Sequence, residues 1–129
     1  MRHLPLLLLA CLCAATGSAA TLAPAARAEI DGLMARLSAS ACAFNRNGSW
    51  YAAAEAAPHL LRKLQYLEER GLVESAEQFI DRAASSSSVS GQLYLVRCGE
   101  GAPVESRVWL RGQLQAIRSS GRPTDAPAR

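Results

Sequence analysis

His59 is the side chain of this sequence best suited to acid–base chemistry. On a helix it lies one turn from Glu55 and one turn from Lys63. Glu55 and His59 are both metal-ligand types, but two ligands make a weak site and the sequence indicates no third. As a general base, His59 would need a nucleophile, which the serine run Ser85–Ser88 could supply. No further motif supports either chemistry, so we expect no catalytic residue, no metal site and no cofactor.

Other polar residues suit binding better than catalysis. Arg46 and Lys63 offer positive charge to an anionic ligand. Trp50 and Tyr51 offer ring faces on which a sugar ligand can stack. The serines that precede Tyr94 would form a polar recognition loop. The candidate binding residues are Arg46, Asn47, Trp50, His59, Lys63, Ser87, Ser88, Ser90, Gly91 and Tyr94.

Residues 1–28 have the order of positive, apolar and small residues that is typical of a secretory signal peptide. The apolar run, residues 4–15, is shorter than the roughly 20 residues that span a membrane. We expect cleavage after Ala28, with a competing site after Ala20, and a lipid anchor at Cys11 is the alternative. The sequence therefore predicts an exported, periplasmic protein that is not an integral membrane protein after cleavage.

The net charge argues against a nucleic-acid partner. The chain has 14 Lys and Arg against 11 Asp and Glu, a formal charge of +3. Removing the predicted signal takes away Arg2 and Arg27 and leaves about +1, too little for the many phosphate contacts that such binding needs. With 50% apolar and 19% charged residues, the composition is typical of a folded domain. An unknown protein or envelope component is the expected partner, and the oligomeric state is open.

Apolar residues recur every three or four positions in four segments, which predicts four helices. The expected spans are residues 29–40, 49–70, 76–83 and 105–117. Pro58 interrupts the second, so it either kinks that helix or begins its regular part. Residues 120–129 are rich in Gly, Pro and Ala and are predicted to be a disordered tail.

Two short strands are predicted at residues 41–44 and 92–98, and Asn47-Gly48 is a strong turn signal. Only Cys42 and Cys98 would remain once the predicted signal peptide is removed. Two cysteines in an exported chain most often form a disulfide. If that bond joins the strands antiparallel, residues 45–49 and 85–91 lie at the same end and form one surface. The predicted fold is α+β and mainly helical, with about four helices, a short two-stranded antiparallel sheet and one disulfide in a single domain, residues 29–119.

Three segments together resemble the YfeK-like family of small exported bacterial proteins, a domain of unknown function. They are Phe44-x-Arg46-Asn47-Gly48, Ala57-x-His59-Leu60-x-x-Lys63, and the stretch from Ser75-Ala76-Glu77-Gln78 to Ser90-Gly91-x-x-Tyr94. Leu93 departs from the proline that is common in the family. The resemblance implies an exported domain and no established activity.

We therefore expect a non-catalytic binding or interaction domain in the bacterial envelope. One alternative is a lysozyme inhibitor, because Ser90-Gly91-x-x-Tyr94 resembles a short motif of periplasmic inhibitors whose loop enters the enzyme's cleft. The other is a small hydrolase that uses His59 and a loop serine.

Overall fold

The computed structural model of this protein describes residues 22–121. The elements in chain order are α1 (Pro24–Ala39), β1 (Ala43–Arg46), β2 (Ser49–Ala52), α2 (Ala53–Glu68), α3 (Ala76–Ala83), β3 (Leu95–Arg97), β4 (Val104–Glu105) and α4 (Ser106–Ser120). Helices α2 and α4 contact the sheet, and α1 and α3 pack against α2 and α4. The predicted α+β class, the four helices and the disulfide are confirmed. The predicted disordered tail lies almost wholly outside the described residues.

The sheet has four strands in the order β2-β1-β3-β4, all antiparallel, where the sequence predicted two. The predicted pairing of Phe44 with Val96 is confirmed. Ser49–Ala52, expected to begin a helix, forms β2 instead. Asn47 and Gly48 take φ values of 52° and 82°, and a two-residue turn with both φ positive folds the next residues back onto the preceding strand. Helix α2 therefore begins only at Ala53.

Helix α1 begins at Pro24, five residues before the predicted start. Proline fits the first turn of a helix because its missing N–H is not needed there and its φ is already helical. Cleavage after Ala28 would therefore remove the first turn of α1. Cleavage after Ala20 would leave the whole helix in the mature chain.

The hydrophobic core lies between the helices and the sheet face that carries Phe44 and Val96. Its largest fully buried side chains are Tyr94, Phe44, Phe79, Ile30, Leu33, Leu37, Leu60, Leu64, Ile80, Leu110, Val73 and Val96. The Cys42–Cys98 disulfide joins the chain beside β1 to the chain beside β3, with a Cα–Cα distance of 4.3 Å. Within residues 22–121, no helix is long and apolar enough to cross a membrane.

Pro58 lies inside α2, and the helix continues through it. Proline has no N–H to donate to the carbonyl of Ala54, so this turn lacks one helical hydrogen bond. Pro58→Ala is expected to raise the free energy of unfolding by about 0.5 kcal/mol, because the restored bond is partly offset by a more flexible unfolded chain. Urea denaturation of both proteins measures the change. A lower value for the variant would show that Pro58 stabilises the start of α2.

Candidate functional site

His59 lies in a cleft formed by α2, the β1–β2 hairpin and residues 85–91, here named the serine loop. The cleft consists of three adjoining cavities, and His59 lines all three. The hairpin cavity, about 210 Å³, lies beside Arg46, Tyr51 and Glu55. The loop cavity, about 300 Å³, lies against the serine loop, and the helix cavity, about 390 Å³, lies farther along α2, beside Arg62 and Tyr66. Both cavities border Lys63 and Ser88. We call this whole region the His59 cleft.

Lys63 connects α2 to the serine loop. Its Nζ donates a hydrogen bond to the carbonyl oxygen of Ser86 at 2.9 Å and another to the hydroxyl of Tyr94 at 3.1 Å. Burial, helped by the positive charge of Arg46, lowers the pKa of Lys63 to about 8. Lys63 is therefore mostly charged at pH 7 and loses its charge in mildly alkaline solution.

His59 and Tyr94 extend the same hydrogen-bonded group. The Nε2 atom of His59 lies 3.5 Å from the Tyr94 hydroxyl, at the limit of a hydrogen bond. Burial, followed by the charges of Arg46, Lys63 and Arg62, lowers the pKa of His59. Burial raises the pKa of Tyr94, so its hydroxyl keeps its proton. That hydroxyl can therefore donate a hydrogen bond to the neutral imidazole of His59.

Positive charge in the cleft is not neutralised by the protein. Arg46, Arg62 and Lys63 form none of the ion pairs found within residues 22–121. Those pairs lie elsewhere and mostly involve α4. Glu55, in the hairpin cavity, is the one carboxylate among the side chains that line the three cavities of the described chain. The cleft is therefore suited to an anion.

The β1–β2 turn and the serine loop meet, as the antiparallel pairing of the strands predicted. The Ser90 hydroxyl donates a hydrogen bond of 2.6 Å to Oδ1 of Asn47. The Ser87 hydroxyl accepts hydrogen bonds from the backbone N–H groups of Val89 and Ser90. These contacts connect the serine loop to the β1–β2 turn and support its own turn, and Val89 at its tip is 97% exposed.

Trp50 does not belong to the cleft. Successive residues of a strand point to opposite faces, so Tyr51 and Trp50 cannot share one. Tyr51 lines the hairpin and loop cavities, with the guanidinium of Arg46 5.0 Å from its ring centre. Trp50 lies on the outer sheet face, with the guanidinium of Arg97 4.2 Å from its ring centre. Trp50 was predicted to bind ligand beside Tyr51, but the two rings lie on opposite faces of the sheet.

The predicted site residues take several different positions. Ser87 is buried and uses its hydroxyl to hold the turn, whereas Ser88 is exposed at the cleft. Gly91, with φ of 75°, shapes the serine loop without lining any of the three cavities of the cleft. The predicted residues that line the loop cavity are Arg46, Asn47, His59, Lys63, Ser87, Ser88 and Tyr94.

Three side chains that line the cleft were not among the predicted site residues: those of Arg62, Tyr66 and Arg82. Arg62 lines the hairpin and helix cavities, and Tyr66 and Arg82 line the helix cavity. Arg62 and Tyr66 lie three and seven positions after His59, which places them on the same side of α2. That spacing was visible in the sequence. The position of Arg82, at the end of α3, depends on the packing of that helix and was not.

Residues 24–118 match a family of unknown function, DUF5329. The chain belongs to this family. The residues that match the DUF5329 family include every helix and strand described above, except the last two residues of α4. This family match, together with a 47% identical partial match to a YfeK protein, confirms the predicted resemblance to YfeK-like proteins.

One curated relative is the uncharacterized protein YfeK of Salmonella typhimurium (strain LT2), which is 47% identical over 51 residues. The aligned segment covers 40% of this chain and 41% of that protein. No solved structure matches the chain. Within residues 22–121, no three His, Cys, Asp or Glu side chains are grouped so that they could hold a metal ion.

Proposed function

We propose that this DUF5329 protein is an exported, non-catalytic binding domain of the bacterial envelope, and that it binds an anionic ligand in the His59 cleft. The observation that carries the proposal is the unneutralised charge of Arg46, Arg62 and Lys63 around one set of cavities. Arg46 and Lys63 are partly buried, and partly buried cations without a carboxylate partner cost stability. A bound anion would remove that cost.

Two features support export to the periplasm. The first is the order of positive, apolar and small residues at the start of the chain. The second is the Cys42–Cys98 disulfide, a bond that persists in oxidising compartments and is rare in the cytosol.

The surroundings of His59 favour binding over hydrolysis. A histidine that activates a serine needs that hydroxyl within hydrogen-bond reach and a second group to orient its ring. Among the described residues, the side-chain hydrogen bond of the His59 ring is with Tyr94, and no serine or carboxylate hydrogen-bonds the ring. The hydrolase alternative therefore has less support than a binding role.

The inhibitor alternative also has less support. In that role, the side chains of Ser90-Gly91-x-x-Tyr94 would enter the cleft of another enzyme. Tyr94 is only 1% exposed, and its hydroxyl accepts a hydrogen bond from Lys63. Ser90 and Gly91 are exposed, but the Tyr94 side chain is not available to a partner.

Arg46 and Arg97 allow a matched test of the site. Both guanidinium groups lie over an aromatic ring, but Arg46 borders the cleft and Arg97 lies on the outer sheet face. We expect Arg46→Gln to weaken binding about tenfold, because one charge-assisted contact contributes about 1.4 kcal/mol, whereas Arg97→Gln leaves binding unchanged. The measurement is mass spectrometry of each protein recovered from the periplasm, under native and then denaturing non-reducing conditions.

The denaturing mass also locates the cleavage site and any lipid on Cys11. A discrete extra mass in the native spectrum of the wild type and of Arg97→Gln, depleted in Arg46→Gln, is the expected result. Uncleaved protein confined to the cytoplasm would contradict export. Equal retention of the extra mass by both variants would contradict binding in the cleft.

A further inference from the structure

We infer that the ligand of the His59 cleft is a short acidic peptide in an extended conformation, with carboxylates on both sides of Lys63 and a free amino group near Glu55. This inference rests on the proposed binding function and specifies the chemistry of the ligand. It follows from how charge is divided among the three cavities.

The loop and helix cavities each carry only positive charge. Arg46 and Lys63 line the loop cavity, and Arg62, Lys63 and Arg82 line the helix cavity. Neither lining contains a carboxylate. Lys63 borders both cavities, so a ligand that fills both needs an anionic group on each side of this residue.

The hairpin cavity carries both signs of charge. Glu55 lines it together with Arg46 and Arg62. A polyanion such as a nucleic acid or a sulfated polysaccharide would place negative charge beside Glu55, where like charges repel. An amino group against Glu55 with a carboxylate against the arginines satisfies this cavity. Amino acids provide that combination.

The dimensions of the cleft fit a peptide of about five residues. The three cavities follow α2 from Glu55 in the hairpin cavity to Leu67 in the helix cavity. Twelve residue steps along a helix of about 1.5 Å each give about 18 Å. An extended chain covers that distance in about five residues at roughly 3.4 Å each.

The shape of the cationic groups also suits carboxylates. Arginine presents a planar fork of N–H donors that matches a carboxylate with two parallel hydrogen bonds. Arg46 is positioned over the ring of Tyr51, which restricts the guanidinium before the ligand arrives. At the far end, Tyr66 and Leu67 provide apolar surface for the methylene groups of an acidic side chain.

Isothermal titration calorimetry at pH 7 and low salt tests the inference with defined peptides. The probe is Glu-Ala-Glu-Ala-Glu with a free amino terminus and an amidated carboxyl terminus. Its controls are the same peptide with an acetylated amino terminus and the corresponding Gln-Ala-Gln-Ala-Gln. We expect the glutamate peptide to bind at least tenfold more tightly than the glutamine peptide, and acetylation to weaken binding several-fold.

Variants assign each part of the peptide to its cavity. Arg62→Gln and Lys63→Met are each expected to lower the affinity for the glutamate peptide about tenfold. Arg97→Gln is expected to leave that affinity unchanged. Glu55→Gln should abolish the difference between the free and acetylated peptides. Arg62 and Glu55 are exposed, so these two substitutions keep the test valid even if Lys63→Met fails to fold.

Equal affinity for the glutamate and glutamine peptides overturns the inference. So does tighter binding of a sulfated oligosaccharide of similar length, which would assign the cleft to a different class of ligand. If the native protein carries an envelope ligand that depends on Arg46 but no peptide binds, the proposed function stands and the peptide inference fails. If neither is found, both fail.

Discussion

Removing the Cys42–Cys98 disulfide is expected to lower the free energy of unfolding by about 4 kcal/mol. The bond closes a loop with a sequence separation of 56 residues, and such a loop strongly restricts the unfolded chain. A domain of this size has only about 5–15 kcal/mol of stability in total. Urea denaturation of the Cys42→Ala, Cys98→Ala double variant beside the oxidised wild type measures the loss.

Wild-type protein held in excess reductant is the control for this prediction, because it loses the bond without a change of side chain. The β1–β3 pairing has three residue pairs of its own, so we expect the folded fraction of the variant to keep the same register. A loss below about 1 kcal/mol would show that the unfolded chain is already restricted by other contacts.

Raising the pH from about 7.5 to 10 is expected to stabilise the protein through Lys63. Its pKa is lowered from 10.5 to about 8 in the folded protein, first by burial and then by Arg46. Between these two values the unfolded chain binds the proton and the folded protein does not, so the free energy of unfolding rises with pH. The full shift corresponds to about 3.4 kcal/mol, and because Lys63 is only half-buried we expect about 1.5 kcal/mol.

The contribution of Lys63 is isolated by comparison with Lys63→Met over the same pH range. Titrations remote from Lys63 are common to both proteins and cancel in the difference. Tyr94 contacts Lys63, but burial raises its pKa, so it keeps its proton over most of this range. Arg62→Gln is the matched control and should retain the rise. A difference curve that is flat between pH 7.5 and 10 would show that Lys63 keeps an ordinary pKa in the folded state.

The central part of the fold was predictable because local and long-range signals agreed. The two cysteines, the Asn47-Gly48 turn and the apolar alternation near Val96 all favoured one antiparallel pair. The resulting register predicted that the β1–β2 turn and the serine loop would meet. The hydrogen bond between Ser90 and Asn47 confirms that contact.

The outer strands, β2 and β4, were not predicted because the sequence of each contains little evidence for a strand. β4 has only two residues, too few for any alternation to show. β2 follows a turn that is typical of hairpins, but Ser49 is also a good first residue for a helix. Positive φ at Asn47 and Gly48 decided between them. A residue-by-residue reading of Ser49–Ala52 as a strand would also have assigned Trp50 and Tyr51 to opposite faces.

The candidate site was predictable only as a region. Spacing along α2 indicated His59 and Lys63, but their pKa values are lowered by burial and by Arg46, which comes from another element. The role of Ser87 also depends on tertiary structure, because its hydroxyl hydrogen-bonds the backbone of its own loop. Sequence identifies residues that could serve a site, and packing decides which of them remain free for a ligand.

His59 borders every cavity of the cleft, and the other histidine, His3, lies in the predicted signal peptide. Removal of that predicted segment would leave a single imidazole, whose ring protons would give isolated lines in a proton nuclear magnetic resonance spectrum. A ligand entering any of the three cavities alters the magnetic environment of that one ring. The protein thus contains its own spectroscopic reporter, and fractions of envelope material can be screened against it without labelling either side.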